Sequence, residues 1–227
     1  MKIGILAAMS KELELLRPML ADSAEVVYDG REMWVGKMGG HDVCLMQCGI
    51  GKVNSALNTR RLIEYFKPDR VINSGVAGGA DATMHVADLL VATAAAYHDV
   101  WCGPGTLYGA ADGFPVMLEC DPAVVRLAEE TLTGEQVRYG LICSGDKFIS
   151  KPEEVAEIKG HFPEALACDM ESASIGQVCG EAGVPFNIIR VVSDTPGQAE
   201  NISQYNDFWG EAPRKTFAAV GQIIARL

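Results

Sequence analysis

Basic residues and long apolar runs are both scarce in this sequence, and each scarcity excludes a class of partner. Only 19 Lys and Arg stand against 30 Asp and Glu, which gives a formal net charge of −11. An acidic chain without a Lys/Arg cluster repels phosphate polymers and anionic lipid headgroups, so we expect neither nucleic acid nor a membrane as a partner. A neutral or cationic small molecule fits this charge better.

Segments and residue pairs that would indicate export, a disulfide framework or a metal are also missing. No stretch reaches the roughly 18 consecutive apolar residues of a membrane span. The opening "MKIGILAAM" meets charged residues at once, which predicts a first strand rather than a signal peptide, and hence a cytoplasmic protein. Four histidines without His-x-His or HExxH spacing and seven cysteines without a CxxC pair predict no metal, no cofactor and reduced, mostly buried thiols.

What the sequence does contain is a regular alternation of apolar runs and amphipathic stretches, with 48% hydrophobic residues over 227 positions. Buried strands are predicted at 2–8, 69–75, 88–99, 137–143, 165–168 and 186–193, and an antiparallel meander at 25–48. Helices are predicted at 10–20 with Ser10 as N-cap, then at 52–66, 122–132, 152–160, 171–183 and the C-terminus, while 100–114 and 194–203 are predicted loops. With no linker or repeat, the prediction is one α/β domain over 1–227, a central mixed twisted sheet flanked by helices in three layers.

Five predicted strand ends carry polar or glycine-rich residues, and ligands of open α/β sheets bind at the carboxyl ends of strands. These ends hold Glu12, "VAGG" (76–79), "SGDKF" (144–148), Asp169 with Glu171, and Asp194. Each has a local explanation when taken alone; Glu12, for example, suits the first turn of a helix as a solvated acid. Together they predict a single pocket.

The side chains of Asp169 and Glu171 cannot both point to one face if the two residues lie on a helix. Residues two apart on a helix point away from each other, so we expect one to bind ligand while the other caps or pairs. Arg190 lies within an apolar strand and needs an acidic partner if it is buried. These two carboxylates are the candidates.

Seven blocks along nearly the whole chain resemble one known family. They are "MKIGILAAM" with Glu12, "CGIGKVNSA" (48–56), "NSGVAGG" (73–79), "YHD" (97–99), "SGDKFI" (144–149), "DMESASIGQVC" (169–179) and "RVVSDTPG" (190–197). In this order they resemble the bacterial 5′-methylthioadenosine/S-adenosylhomocysteine nucleosidases of the nucleoside phosphorylase superfamily. The resemblance implies the nucleoside phosphorylase fold. It also implies that the protein hydrolyses the N-glycosidic bond of these two nucleosides, and of 5′-deoxyadenosine, and releases adenine and a ribose product.

The resemblance also implies residue roles. Glu12 would activate water, Asp194 would protonate adenine N7, and Glu171 would bind the ribose hydroxyls. The remaining implied substrate contacts are Met9, Ile50, Val76, Ala77, Gly78, Phe148 (stacking on adenine), Ile149 (backbone), Asp169, Met170, Arg190, Ser193 and Tyr205. The chemistry needs such groups, because an ionised carboxylate supplies the nucleophile and a protonated one improves the leaving group.

Assembly and substrate preference follow from the same resemblance. It implies a homodimer in which the loop around 100–115 lends Trp101, Leu107, Tyr108 and Pro115 to the partner's 5′ pocket. Four features depart from the family pattern: Val76 replaces a usual Ser, Asp169 a usual Glu and Tyr205 a usual Phe, and the loop around 100–115 differs as well. These departures leave the reaction class intact and the preferred 5′ substituent open.

Three alternatives remain at the sequence level: a purine nucleoside phosphorylase, a futalosine or aminofutalosine hydrolase, and a non-catalytic nucleoside-binding protein. Phosphate needs arginines and backbone donors, whereas Glu12 would repel it. A silent binder has no need for a water-activating base, so the set of three acids disfavours it.

Overall fold

Strands and helices alternate through the chain in the computed structural model, which describes residues 1–133, 136–209 and 212–227. The strands are β1 Lys2–Ala7, β2 Ala21–Tyr28, β3 Arg31–Met38, β4 His41–Gln47, β5 Arg70–Gly79, β6 Leu89–Tyr97, β7 Leu118–Glu119, β8 Val137–Ser144, β9 Ala165–Asp169 and β10 Phe186–Asp194. The helices are α1 Ser10–Leu16, α2 Lys52–Phe66, α3 Pro122–Thr131, α4 Pro152–His161, α5 Ser172–Ala182, α6 Asn201–Asp207 and α7 Ala212–Ile224.

All ten strands join one mixed sheet in the order β10-β6-β8-β9-β5-β1-β4-β3-β2, with β7 on β6. Strand β10 also pairs in parallel with β5. Strands β5, β10, β6, β8 and β9 therefore close into a ring, and β1, β4, β3 and β2 extend from it as the predicted antiparallel meander plus one parallel pair. The mixed sheet flanked by helices is confirmed; the ring closure is an addition that the sequence did not predict.

The helices cover the sheet with their apolar faces. Helix α2 packs against α5, and α7 packs against α1 and α3. The predicted C-terminal helix is confirmed, and its Phe217, Val220 and Ile224 side chains are buried. Six of the seven cysteines are buried and Cys102 is exposed. No helix in the described parts of the chain is long and apolar enough to cross a membrane.

Two local predictions were wrong. Ser10 is the first helical residue rather than the N-cap of α1; Met9 occupies the cap position, and its backbone N–H donates to the Glu12 carboxylate at 2.9 Å. Helix α6 begins within the predicted loop after β10 and continues beyond it to Asp207; its short sequence lacks a strong apolar period. Asn201, the first residue of α6, donates a hydrogen bond to Asp194 at the end of β10.

Candidate active site

The five polar strand ends meet at one pocket. It is lined by Ala8, Met9, Glu12, Ile50, Val76, Ala77, Gly78, Phe148, Cys168, Asp169, Met170, Glu171, Ser193, Asp194 and Tyr205. The ends of β1, β5, β9 and β10 all contribute, as does the segment that follows β8. The ring of strands brings these ends together, because β5 contacts both β9 and β10.

Glu12 lies in the first turn of α1, but it is buried with only 1% of its surface exposed. The explanation as a solvated helix acid is therefore wrong. Its Oε1 accepts the backbone N–H of Val76 at 2.8 Å, and its Oε2 accepts that of Met9 at 2.9 Å. Burial raises the pKa of Glu12, while nearby Arg190 and these backbone donors oppose the rise. The carboxylate is held in one orientation at the edge of the pocket.

Arg190 does not line the pocket; it lies fully buried behind the acids, on β10. Its Nη2 donates to Asp169 at 2.6 Å and lies 3.6 Å from Glu171 Oε2. Asp169 ends β9 and Glu171 precedes α5, so the two are not on one helix and both turn toward the same guanidinium. The expectation that they point apart is corrected, and the expected ion pairing of Arg190 is confirmed.

Gly75 allows this cluster to form. A Cβ atom at position 75 would collide with both the Arg190 Nη1 and the Glu12 Oε1 atoms. Glu12 and the guanidinium therefore approach each other across a position where only hydrogen fits. Gly75 belongs to the sequence block "NSGVAGG", whose glycines suggest a turn. The structure shows a different reason for this glycine, the close packing of Glu12 and Arg190 around it.

Asp169 and Glu171 have different surroundings. Asp169 accepts from Ser144 Oγ at 2.5 Å, from Ser172 Oγ and from Arg190. Glu171 Oε1 instead accepts one backbone N–H, from Gly51 at 3.0 Å. Burial, followed by the negative charge of Asp169, raises the pKa of Glu171 to about 8. Asp169 is thus held by hydrogen bonds from three side chains, whereas the Glu171 carboxylate can still form hydrogen bonds with a ligand.

Asp194 is the last residue of β10 and is 2% exposed. Ser193 Oγ hydrogen-bonds its Oδ1 at 2.6 Å, and the Asn201 amide of α6 donates to its Oδ2. Burial raises the pKa of Asp194, and these two hydrogen bonds only partly oppose the rise. Among the described residues, the side chains that hydrogen-bond this carboxyl group are neutral, so it is suited to hold a proton.

An apolar wall faces the carboxylates. The rings of Phe148 and Tyr205 meet edge to face with centroids 5.6 Å apart, and Phe148 remains 47% exposed, with a ring face available for stacking. The Tyr205 hydroxyl lies 3.5 Å from Met9 Sδ. Ile149 does not line the main pocket; it lines an adjoining cavity together with Phe148 and Asp194.

The loop residues expected to act across subunits stay outside the pocket of their own chain. Trp101 and Leu107 are 58% and 71% exposed. Tyr108 stacks on His161 at 3.6 Å, and Pro115 is not among the lining residues either. Within the described ranges, no group of three or more His, Cys, Asp or Glu side chains could hold a metal ion.

Sequence reasoning missed several residues of the site. Asn201 and Ser144 bind the two aspartates, and Cys168 and Ala8 line the pocket. Ser144 lies in a block that the sequence singled out, "SGDKFI", so its position was signalled although its partner was not. Asn201 lies in the segment predicted to be a loop, and nothing in its neighbours signals a contact with Asp194.

Comparison with known proteins shows the family to which the chain belongs. The family model of the phosphorylase superfamily matches residues 2–225. The 5′-methylthioadenosine/S-adenosylhomocysteine nucleosidase of Geobacillus sp. (strain WCH70) is 38% identical over 231 residues, covering 100% of this chain and 99% of the relative. That of Lysinibacillus sphaericus (strain C3-41) is 39% identical, with complete coverage of both chains.

Solved structures give the same grouping. The nucleosidase of S. pneumoniae with the transition-state inhibitor MT-ImmA superposes with a TM-score of 0.95 at 35% identity, covering 99% of each chain. The Neisseria meningitidis nucleosidase in complex with methylthio-immucillin-A superposes with a TM-score of 0.94 at 35% identity, covering 100% of this chain and 99% of that one. The chain therefore belongs to the phosphorylase superfamily. Within that superfamily it is a member of the 5′-methylthioadenosine/S-adenosylhomocysteine nucleosidase family.

Proposed function

We propose that this protein hydrolyses the N-glycosidic bond of 5′-methylthioadenosine and S-adenosylhomocysteine, releasing adenine and the ribose product, with 5′-deoxyadenosine as a further substrate. The observation that carries the proposal is the set of three buried carboxyl groups, Glu12, Glu171 and Asp194, around one pocket. Two of the relatives that support it were solved with inhibitors named as methylthio or transition-state analogues.

The proposed chemistry divides the work among these three groups. Cleavage develops positive charge on the ribose and negative charge on the base. Asp194, whose raised pKa favours the protonated form, donates to adenine N7 and makes adenine a better leaving group. Glu12 accepts a proton from water as the water attacks the ribose carbon, and backbone donors keep its carboxylate aimed.

Binding precedes this chemistry. Glu171 accepts hydrogen bonds from, or donates its own proton to, the ribose hydroxyls, which its pKa of about 8 permits near neutrality. Phe148 stacks on the adenine ring with its exposed face. Met9, Ile50 and Met170 supply an apolar surface for the sugar and the 5′ sulfur. Arg190 acts from behind, by compensating the charge of the acids rather than by touching substrate.

A phosphorylase is the nearest alternative within the superfamily. Phosphate binding uses arginine forks and clustered donors, yet none of the described lining residues is lysine or arginine. Buried Glu12 beside the pocket would repel a phosphate dianion.

Adenine release from 5′-methylthioadenosine, measured in phosphate-free buffer and again with added phosphate, tests the proposal. We expect the same rate in both buffers. Release that requires phosphate would establish a phosphorylase. No release in either buffer would direct the assay to futalosine or aminofutalosine, and a failure there as well would leave a nucleoside-binding protein without catalysis.

We also propose that the protein is a homodimer. Ile50, Val53 and Leu57 lie at helical spacing along the exposed side of α2 and its start, and each is at least 50% exposed. Trp101 and Leu107 of the loop are exposed as well. A second copy would bury this apolar surface and bring Trp101, Leu107, Tyr108 and Pro115 to the partner's pocket beside Ile50.

A further inference from the structure

A cluster of charged side chains lies beside the pocket, although none of them lines it. Lys52 Nζ donates to both carboxylate oxygens of Asp99 at 2.8 Å and lies 3.9 Å from Asp146 Oδ2. The backbone N–H of Asp146 donates to Asp99 at 2.8 Å, and that of Lys52 donates to Asp146 at 2.7 Å. Three separate segments, the start of α2, the end of β6 and the segment after β8, are therefore tied together.

Two of these segments carry pocket residues next to the cluster. Gly51, directly before Lys52, donates its backbone N–H to Glu171. Phe148 follows Asp146 by two residues and lines the pocket. The cluster therefore links the segment that hydrogen-bonds Glu171 to the segment that carries Phe148.

The backbone of these segments also packs directly against the charged side chains of the cluster. Gly51 has a φ of +89°, and a Cβ there would lie 2.9 Å from Asp146 Oδ1. At Gly145 a Cβ would collide with the ring of His98 and lie 2.9 Å from Asp99 Cγ. Both glycines bring backbone directly onto the charged groups, so a shift of the cluster must move the backbone that precedes Phe148.

We propose that Lys52, Asp99 and Asp146 are positioning residues that hold Glu171 and Phe148 at the spacing a nucleoside requires. The inference rests on the proposed function for the identity of that ligand. The three side chains do not touch substrate; they act through Gly51 and the segment 145–149. Their partial exposure, between 23% and 47%, makes the interaction sensitive to salt.

The first test is steady-state kinetics of Lys52→Met on 5′-methylthioadenosine. We expect KM to rise about tenfold, which is the effect of losing one charge-assisted hydrogen bond, and kcat to change less than about threefold. Lys52→Arg should recover most of the loss. Because the pair acts as a unit, Lys52→Met with Asp99→Asn should be no worse than either change alone. Lys37→Met removes the exposed ion pair with Asp42, far from the pocket, and is the matched control.

Amide hydrogen exchange provides a readout that does not depend on activity. We expect faster exchange in Lys52→Met at Gly51 and across 145–149, with the rest of the chain unchanged, and no such change in Lys37→Met. Unaltered exchange and KM in Lys52→Met would overturn the proposal, and so would exchange raised throughout the molecule. A wild-type protein that releases no adenine would contradict the proposed function alone, because the exchange pattern would still decide the positioning role.

Discussion

Glu12 and Asp194 are both buried carboxyl groups, yet the proposed reaction needs them in opposite protonation states. Burial raises the pKa of both. Around Glu12, however, two backbone N–H donors and the Arg190 guanidinium support the ionised form. Among the described residues, the side chains that hydrogen-bond Asp194 are the neutral Ser193 and Asn201. The cation beside Glu12 and the neutral hydrogen-bond partners of Asp194 therefore favour opposite protonation states.

Replacing the base tests its role directly. Glu12→Gln keeps the shape of the side chain but cannot take a proton from water, so we expect kcat to fall by about 10²–10⁴-fold. The affinity for a methylthio transition-state analogue should be affected much less. Calorimetric binding together with adenine release measures both; an equal loss of binding and turnover would make Glu12 a structural residue.

The acid has its own test, based on the leaving group. Asp194→Asn cannot transfer a proton to adenine, so hydrolysis of 5′-methylthioadenosine should fall by about 10²–10⁴-fold. A 5-methylthioribosyl substrate with 4-nitrophenolate as leaving group needs no protonation and should retain most of its rate. If the variant lost both reactions equally, or kept both, leaving-group protonation by Asp194 would be ruled out.

Glu171 predicts a pH dependence of stability. Its pKa is about 8 in the folded chain and near 4.3 in an unfolded one, so between these values the folded state holds a proton that the unfolded state has released. The free energy of unfolding should therefore fall as pH rises through this window, by up to about 1.4 kcal/mol per pH unit from this group. Urea denaturation at pH 5, 6.5 and 8 measures it. Glu171→Gln should show a shallower decline, and an identical decline would contradict the assignment.

At the scale of elements, α6 and α5 show how short segments complete the site. Helix α6 has only seven residues and provides both Asn201, which bonds Asp194, and Tyr205, which contacts Met9. The start of α5 places Glu171 at the cap position while Ser172 bonds Asp169. Both helices thus connect a strand end to the pocket.

Helix α6 yields a prediction about the acid it contacts. The Asn201 amide lowers the pKa of Asp194 by donating to the carboxylate. Asn201→Ala removes this donor, so the pKa should rise further and Asp194 should keep its proton to higher pH. The alkaline limb of the kcat/KM profile should therefore move to higher pH. Ser203→Ala is the control: Ser203 lies on the same helix, its hydroxyl donates to the Glu200 carbonyl, and its loss should leave the limb in place.

At the scale of the whole molecule, the exposed apolar surface of α2 predicts assembly. We expect sedimentation velocity at micromolar concentration to show a dimer. Val53→Glu with Leu57→Glu should give a monomer with a raised KM, because the partner's loop would no longer reach the pocket. Val27→Glu changes an equally exposed apolar residue on β2 and should remain dimeric. A wild-type monomer with full activity would contradict the proposal.

Much of the architecture could be predicted from local pattern. Helix α2 begins and ends at the predicted Lys52 and Phe66, since a glycine precedes it and Lys67-Pro68 stops it. The strands β5, β6, β8 and β10 follow their apolar runs within a few residues. Helix α6 and the two-residue β7 were missed, because neither has enough sequence to show a period. Strand β7 forms by pairing with β6, and α6 packs on β10, which precedes it in the chain.

The sequence by itself determined the alternation of elements, the acidic strand ends and the resemblance to a nucleosidase family, since these depend on residue type and order along the chain. Only the tertiary structure decided which acids lie beside Arg190 and which of them line the pocket. It alone also decided that β5 pairs with β10 and closes the ring of strands. The physical reason is that pKa values and ion pairs depend on burial and on distances of a few ångströms between residues far apart in sequence. Gly75, Arg190 and Glu12 meet only when β1, β5 and β10 lie side by side.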